Sequence, residues 1–325
     1  MIRKPEMFKE AESGRFKNIF IQILLFFTVF MISSTIQSIL PTIMMLFDMV
    51  VEFSKIGMEQ IDNNDIEAVL NTVMAAQSTR PYLLVMLFVT IFGIIIPIIF
   101  CKFIEKRSLT SMGFKKKNAI RDYIIGLVIG FLMFSAVMLV NIITGAMKID
   151  GINKNLSIIS IIFIVMFFIG FVIQGASEEI MVRGYFMTSL GSKHNMILAL
   201  MISSGMFGLL HLGNPGFTFL GFVNLILVGV FFGLYIICFD NIWGACALHS
   251  IWNFVQGNFY GVQVSGLTMS DSVLTASINE KMKLINGGSF GAEGGLATTI
   301  ILCLSIGGLL IYMKATGKIV KENNC

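Results

Sequence analysis

Eight apolar runs mark out this chain: Phe20–Phe47, Tyr82–Ile104, Tyr123–Met147, Leu156–Tyr185, Met196–Leu210, Phe217–Phe239, Ile242–Val262 and Leu296–Met313. A bilayer core of about 30 Å takes about 20 apolar residues of helix, so most of these runs are long enough to span it. The run Met196–Leu210 is short for this, and Pro41 falls inside the first run, where it kinks or ends a helix. The pattern predicts an all-α, polytopic membrane protein with about eight transmembrane helices. Composition agrees: 56% of residues are apolar and 13% charged, against about 25% charged in soluble domains, and mean hydropathy is +0.85.

The net charge of +4 is spread over separate loops and calls for no nucleic-acid partner. Arg3, Lys4, Lys9, Arg15 and Lys17 precede the first run, seven Lys and Arg fall between Lys102 and Arg121, and Lys314, Lys318 and Lys321 follow the last. The first loop is acidic, with Asp48, Glu52, Glu59, Asp62, Asp65 and Glu67 against Lys55 and Arg80. Basic loops stay in the cytoplasm, which predicts a multi-pass protein of the cell membrane with both termini cytoplasmic. Gln263 to Gly295, rich in Gly and Ser, then falls outside, and Asp48 to Arg80 forms an extracytoplasmic helical hairpin. Ser108 to Phe114, amphipathic and flanked by lysines, reads either as an interfacial segment or as a solvated basic linker. Met1 to Lys17 is polar and shows no signal-peptide core. The five cysteines have no CxxC spacing and indicate no disulfide.

Chemistry enters at Ser177-Glu178-Glu179-Ile180-Met181-Val182-Arg183, directly after a run without charge from Leu156 to Ala176. A charged side chain at the bilayer centre costs about 2.5–3.5 kcal/mol on insertion scales, so these groups are paired, solvated by a cavity, or at the membrane edge. Glu179 and Arg183 are four apart and share a helix face, which suits an ion pair. Glu178 lies about 100° round the helix and stays free for proton chemistry. Three histidines are present. His194 sits in a polar turn and reads as solvated. His211 ends the apolar run Met201 to Leu210, one turn after Phe207, and His249 lies inside the seventh span with Asn253 on the same face. Each alone is compatible with a helix–helix hydrogen bond. Together, two carboxylates, two imidazoles and an amide on three spans predict an intramembrane polar cavity equipped for hydrolysis: a base for water, donors for an oxyanion and a dry surround.

Glu178-Glu179-x-x-x-Arg183, Phe207-x-x-x-His211 and His249-x-x-x-Asn253 resemble, in order and spacing, the three motifs of the CPBP intramembrane proteases, the CAAX prenyl endopeptidases and bacteriocin-processing or Abi-type proteins. The resemblance covers about Leu156 to Val262. It implies a catalytic core over residues 156–262. Residues 1–155 carry three transmembrane helices with the acidic and basic loops, and residues 263–325 an extracytoplasmic loop, a last helix and a basic tail. It also implies Glu178 as general base aided by His211, Glu179 as the second carboxylate held by Arg183, and His249 and Asn253 as oxyanion donors. Two chemistries stay open. One is a zinc site, with Glu178, His211 and His249 as candidate ligands. The other is a metal-free, glutamate-activated water, which the absence of HExxH slightly favours.

Glu178 and His211 can meet at mid-depth only if the fourth helix continues through Arg183 and Tyr185, and His249 lies shallower. The expected cavity opens to the cytoplasm. The resemblance implies a peptide or a membrane-proximal protein tail as substrate, and the richness in Ile, Met, Phe and Lys suggests a bacterium, where processing of a bacteriocin or pheromone, or immunity to one, is the natural setting. Two other readings use the same residues: a non-catalytic immunity or binding protein, and a proton-coupled transporter. The transporter predicts two related halves, and no repeat is visible.

Overall fold

The computed structural model describes residues 2–56 and 63–319. Glu59 and Asp62 of the acidic loop, and Lys321 and Cys325 of the tail, lie outside them. In chain order the elements are α1 (Glu6–Glu10), α2 (Ile19–Ile56), α3 (Asn63–Ala76), α4 (Arg80–Ile104), α5 (Ala119–Ile143), β1 (Met147–Ile152), α6 (Ile158–Lys193), α7 (Met196–Leu209), α8 (Phe219–Phe239), α9 (Trp243–Phe254), β2 (Leu274–Ile278) and α10 (Leu296–Ala315). All eight apolar runs are helices. Six of them, α2, α4, α5, α6, α8 and α10, are long and apolar enough to cross a membrane, while α7 and α9 are shorter. Phe20, Leu24, Ile120, Val128, Ile158 and Ile161 are exposed on the outward faces of α2, α5 and α6, where only lipid tails would cover them. Pro41 neither ends nor divides α2, which runs on to Ile56.

Helix α9 lies at the centre because glycines on both sides let it in. On α5, a side chain at Gly126 would stand 2.3 Å from the Gly244 carbonyl, and one at Gly130 would stand 2.4 Å from Ile251. On α6, a Cβ at Gly175 would stand 2.7 Å from the Ser250 nitrogen. Small residues at such crossings bring backbones together in the way membrane helices associate without a hydrophobic driving force.

The basic segments gather at one end of the bundle. Ile2 bridges to Ile319, Lys4 donates to the Ser192 carbonyl, and Lys115 pairs with Asp240. This end is plugged: Met7 and Phe8 of α1 are fully buried, and the Met7 amide donates to Asp240 Oδ1 at 3.0 Å. Ser108 to Phe114 is neither an interfacial helix nor a solvated linker. It forms a short 3₁₀ turn, Leu109–Met112, capped by Ser108, with Ser111 and Met112 fully buried against the bundle. Its apolar side meets protein rather than lipid.

The opposite end also differs from the expected open loop. Residues 263–295 fold back onto the bundle. Strand β2 pairs antiparallel with β1, from Met147↔Ile278 to Ile152↔Leu274, with an irregularity between Ile149 and Gly151. Asp271 takes a two-point contact from Arg80, at 2.8 and 2.7 Å, at the start of α4. Burial works against ionisation of Asp271, yet the Arg80 guanidinium and the hydroxyls of Ser270 and Ser160 hold it below the usual carboxylate range. Gly/Ser content gave no sign of this packing, because it rests on a few side chains far apart in sequence.

The seat of α9 gives a direct test. Gly175→Val places a branched side chain where Ser250 now stands, so α9 must move away from α6. The expected result is a drop in Tm of the purified chain in detergent, and Gly205→Val, at a position with open space around it, should leave Tm within a few degrees.

Candidate active site

Helix α6 continues past Glu178 without a break. From Ile180 to Met187 it widens into a π-helix before resuming as α-helix to Lys193. Such insertions leave carbonyls without their usual helical partner. Here the Tyr185 carbonyl accepts from Arg107 Nη2 at 2.9 Å, and Arg107 Nη1 donates to Thr188 Oγ1 at 3.0 Å. Arg107 is itself buried and paired with Glu105.

Glu179 and Arg183 form the expected ion pair, 2.8 Å from Nη1 to Oε1, with both side chains fully buried. The Arg183 guanidinium also lies over the Phe207 ring, 4.3 Å from its centroid, a favourable cation–π placement. The same Glu179 Oε1 accepts from His249 Nδ1 at 3.0 Å. Because that partner is an acceptor, the His249 proton sits on Nδ1, and Nε2 turns toward Glu178, 3.7 Å from its Oε2. His211 repeats the arrangement: its Nδ1 donates to the Phe207 carbonyl at 2.8 Å, and its Nε2 lies 3.9 Å from Glu178 Oε2. Glu178 Oε2 is buried and has no hydrogen-bond partner. Two imidazole nitrogens and one carboxylate oxygen thus converge at separations that one water bridges.

The depths reconcile for two reasons. Helix α7 ends at Leu209 after 14 residues, about 21 Å of rise, so His211 stands just past its end, half-buried against the cavity while Leu212 and Gly213 beyond it are exposed. The turn at Asp240 is also sunk: Ile242 packs at Gly184 of α6, beneath Met112, so His249 starts already several residues deep. Non-helical backbone at such depth is tolerated where protein covers it or a cavity adjoins it. Both apply here, since the residue after Pro215, Gly216, lies against Ser289 and Phe290 of the returning segment.

A cavity of about 200 Å³ contains Glu178, His211, His249 and Asn253, and Val264, Ser265, Leu267, Met269 and Glu293 of the returning segment line it as well. A second, of about 220 Å³, reaches Glu178 and His211 from between α2 and α7, past Phe30, Ser34 and Gln37. The expectation of a cavity open to the basic end is therefore corrected. That end is closed by Met7, Phe8, Met112, Tyr185 and Met187, and the cavity lies on the side of residues 263–295.

Three polar residues of the site were not anticipated. Gln174, one turn before Glu178, donates to Glu178 Oε1 and accepts from Asn253 Nδ2 at 2.9 Å. It ties Asn253 to the carboxylate, and its i, i+4 spacing to Glu178 was the available signal. Asn224 donates to the carbonyls of Glu293 and Gly295 at 2.8 and 2.9 Å. Glu293 itself is buried, and its carboxyl is pushed up to about 7, burial being the largest of several opposing influences. The Ser265 hydrogen bonds and His249 pull it down, and Glu178 pushes it up. His194 stays at the α6–α7 turn, away from this site.

Zinc bound tetrahedrally at about 2.0–2.1 Å holds neighbouring ligand atoms about 3.3 Å apart. The 3.7 and 3.9 Å separations at Glu178 are wider, and among the described residues no three His, Cys, Asp or Glu side chains converge to hold a metal ion. Glu178, His211 and His249 are nonetheless donor types that would hold a zinc ion, which would polarise the substrate carbonyl and acidify a bound water; the steps below are those that the side chains themselves perform.

Residues 158–255 match the family model of Rce1-like proteins, described as type II CAAX prenyl endopeptidase Rce1-like. No curated protein and no solved structure matches the chain. The matched segment runs from the start of α6 to the end of α9 and contains every motif residue named above. Over these residues, the chain is similar to the Rce1-like, CAAX-type peptidases, in agreement with the resemblance carried by the three motifs.

Proposed function

We propose that the chain is an intramembrane endopeptidase that hydrolyses a peptide bond with a water activated by Glu178 and His211. The observation that carries this reading is Glu178 Oε2, buried, without a hydrogen-bond partner and faced by two imidazole Nε2 atoms. Glu178 takes a proton from the water, whose oxygen attacks the substrate carbonyl. His211 Nε2 orients that water, with its tautomer fixed by the Phe207 carbonyl. Glu179 supplies the counter-charge for an imidazolium at His249, whose Nε2–H then donates to the oxyanion. The second N–H of the Asn253 amide is the other donor, since only one is used by Gln174. Collapse of the intermediate breaks the C–N bond, and Glu178 returns its proton to the leaving amine.

The substrate is a peptide or a membrane-proximal protein tail, and in a bacterium the process served is maturation of a bacteriocin or pheromone, or immunity to one. The basic end of the bundle is cytoplasmic by the distribution of Lys and Arg. In that orientation the catalytic cavity faces the outer half of the bilayer, with a lateral approach between α2 and α7.

Removing a general base costs about 10²–10⁴ in rate. Glu178→Ala and His211→Ala should each reduce kcat/KM on a fluorogenic peptide substrate by at least that range while the protein still purifies as a folded species. Activity persisting in Glu178→Ala would falsify the assignment of the base. Arg183→Ala acts differently. It leaves buried Glu179 with His249 as its one remaining partner, and breaking a buried ion pair costs about 3–5 kcal/mol, so the expected loss is in yield and Tm. Dialysis against a zinc chelator should leave the rate within twofold, and a loss reversed by added zinc would restore the metal to the mechanism.

A further inference from the structure

Glu293 stands in the catalytic cavity without a part in the hydrolysis described above. It arrives on the returning segment, outside residues 158–255, so the family match does not account for it. Its side chain is 7% exposed. Helix α8 holds its backbone through Asn224, and the Ser265 hydroxyl donates to its Oε1, so the carboxyl is fixed in place rather than swinging free.

The charge inventory of the cavity is one-sided. Glu178 and Glu293 line it with two imidazoles, and its walls hold neither Lys nor Arg. The ionisable side chains that share the cavity with Glu293 are His211, His249 and Glu178. A buried carboxyl is costly to ionise unless a cation reaches it, and an ionisable group kept at membrane depth marks a site whose partner is to be named. Here the partner must enter with the substrate. A free C-terminal carboxylate would meet two acids, and the His249 imidazolium is already paired with Glu179. A Lys or Arg side chain meets the reverse: Leu225, Trp252, Leu267 and Met269 line the same space and suit the aliphatic stem, leaving the charged head for the carboxylate.

We propose that Glu293 forms a subsite for a basic side chain of the substrate, a Lys or Arg near the scissile bond. This rests on the peptidase reading of Glu178, and it adds a specificity that the motif residues do not encode.

The test uses the full chain in lipid nanodiscs and a set of N-acetylated, C-amidated peptides of Ala and Leu. Each carries one Lys, one norleucine or one Glu, moved through four positions on either side of the centre. The wild type should cleave the best Lys peptide at least tenfold faster in kcat/KM than its norleucine counterpart, and the Glu counterpart more slowly still. Glu293→Gln should bring the Lys-to-norleucine ratio to about one, chiefly through KM, and Glu293→Lys should turn the preference toward the Glu peptide. Glu293→Asp, which keeps the charge, should retain part of the ratio and guards against a variant that merely misfolds. Equilibrium binding to the Glu178→Ala chain separates the two readings. Tighter binding of the Lys peptide there, lost in Glu178→Ala/Glu293→Gln, upholds the subsite even if no peptide is cleaved. Cleavage or binding with no preference for Lys, or a preference that survives Glu293→Gln, overturns the subsite and leaves the peptidase standing.

Discussion

One carboxylate oxygen, Glu179 Oε1, accepts from both Arg183 Nη1 and His249 Nδ1 in a fully buried position. Each of these groups would be expensive alone in an apolar interior. Together they make a compact unit: arginine neutralises the acid, the acid orients the imidazole, and Phe207 covers the guanidinium. The unit spans α6 and α9, so it holds only if those helices approach closely, which Gly175 permits. It also divides the labour of two adjacent glutamates. With Glu179 committed to the pair, Glu178 faces the cavity with an oxygen that has no protein partner.

Placing that oxygen at mid-depth requires an interrupted bundle. Helix α7 stops early, α6 and α9 each pass into a π-helical stretch, and the chain turns at His211 to Pro215 beside the cavity. These irregularities expose backbone groups that hydrocarbon could not satisfy. The two ends of the protein meet this need in different ways. At the basic end α1 and the 3₁₀ turn at Leu109 fill the space beneath the Asp240 turn. At the other end the returning segment, tied by Arg80–Asp271 and by β1–β2, covers the cavity. The placement of Glu178 is thus as much a product of these coverings as of the long apolar helices.

How much of this the sequence discloses follows from the range of each interaction. The eight helices are visible because lipid imposes one long apolar pattern per span. Glu179–Arg183 is visible because i, i+4 geometry is local. No spacing rule brings three helices together, so the convergence of Glu178, His211 and His249 rested on the cost of isolated polar groups in separate spans and on the motif resemblance. The packing of Ser108–Phe114 and of residues 263–295 was not legible because it depends on partners such as Arg80, Asn224 and Gly184, distant in sequence and individually unremarkable. Glu293, a single acid in a Gly-rich stretch, carries no local signal at all, and its place depends on Asn224 and Ser265. The side on which the cavity lies was misplaced for a related reason, because the plug formed by Met7 and Phe8 comes from a polar N-terminal segment.

The central claim, that Glu179 orients His249 so that Glu178 and two imidazoles share one water, is most directly tested by an experimental structure of the chain in lipid at a resolution that shows ordered solvent. The account predicts a single water at about 2.7–3.2 Å from Glu178 Oε2 and from at least one of the His211 and His249 Nε2 atoms, with Glu179 still bonded to both Arg183 and His249. A side chain or acyl chain filling that space, or His249 turned away from Glu179, would contradict it.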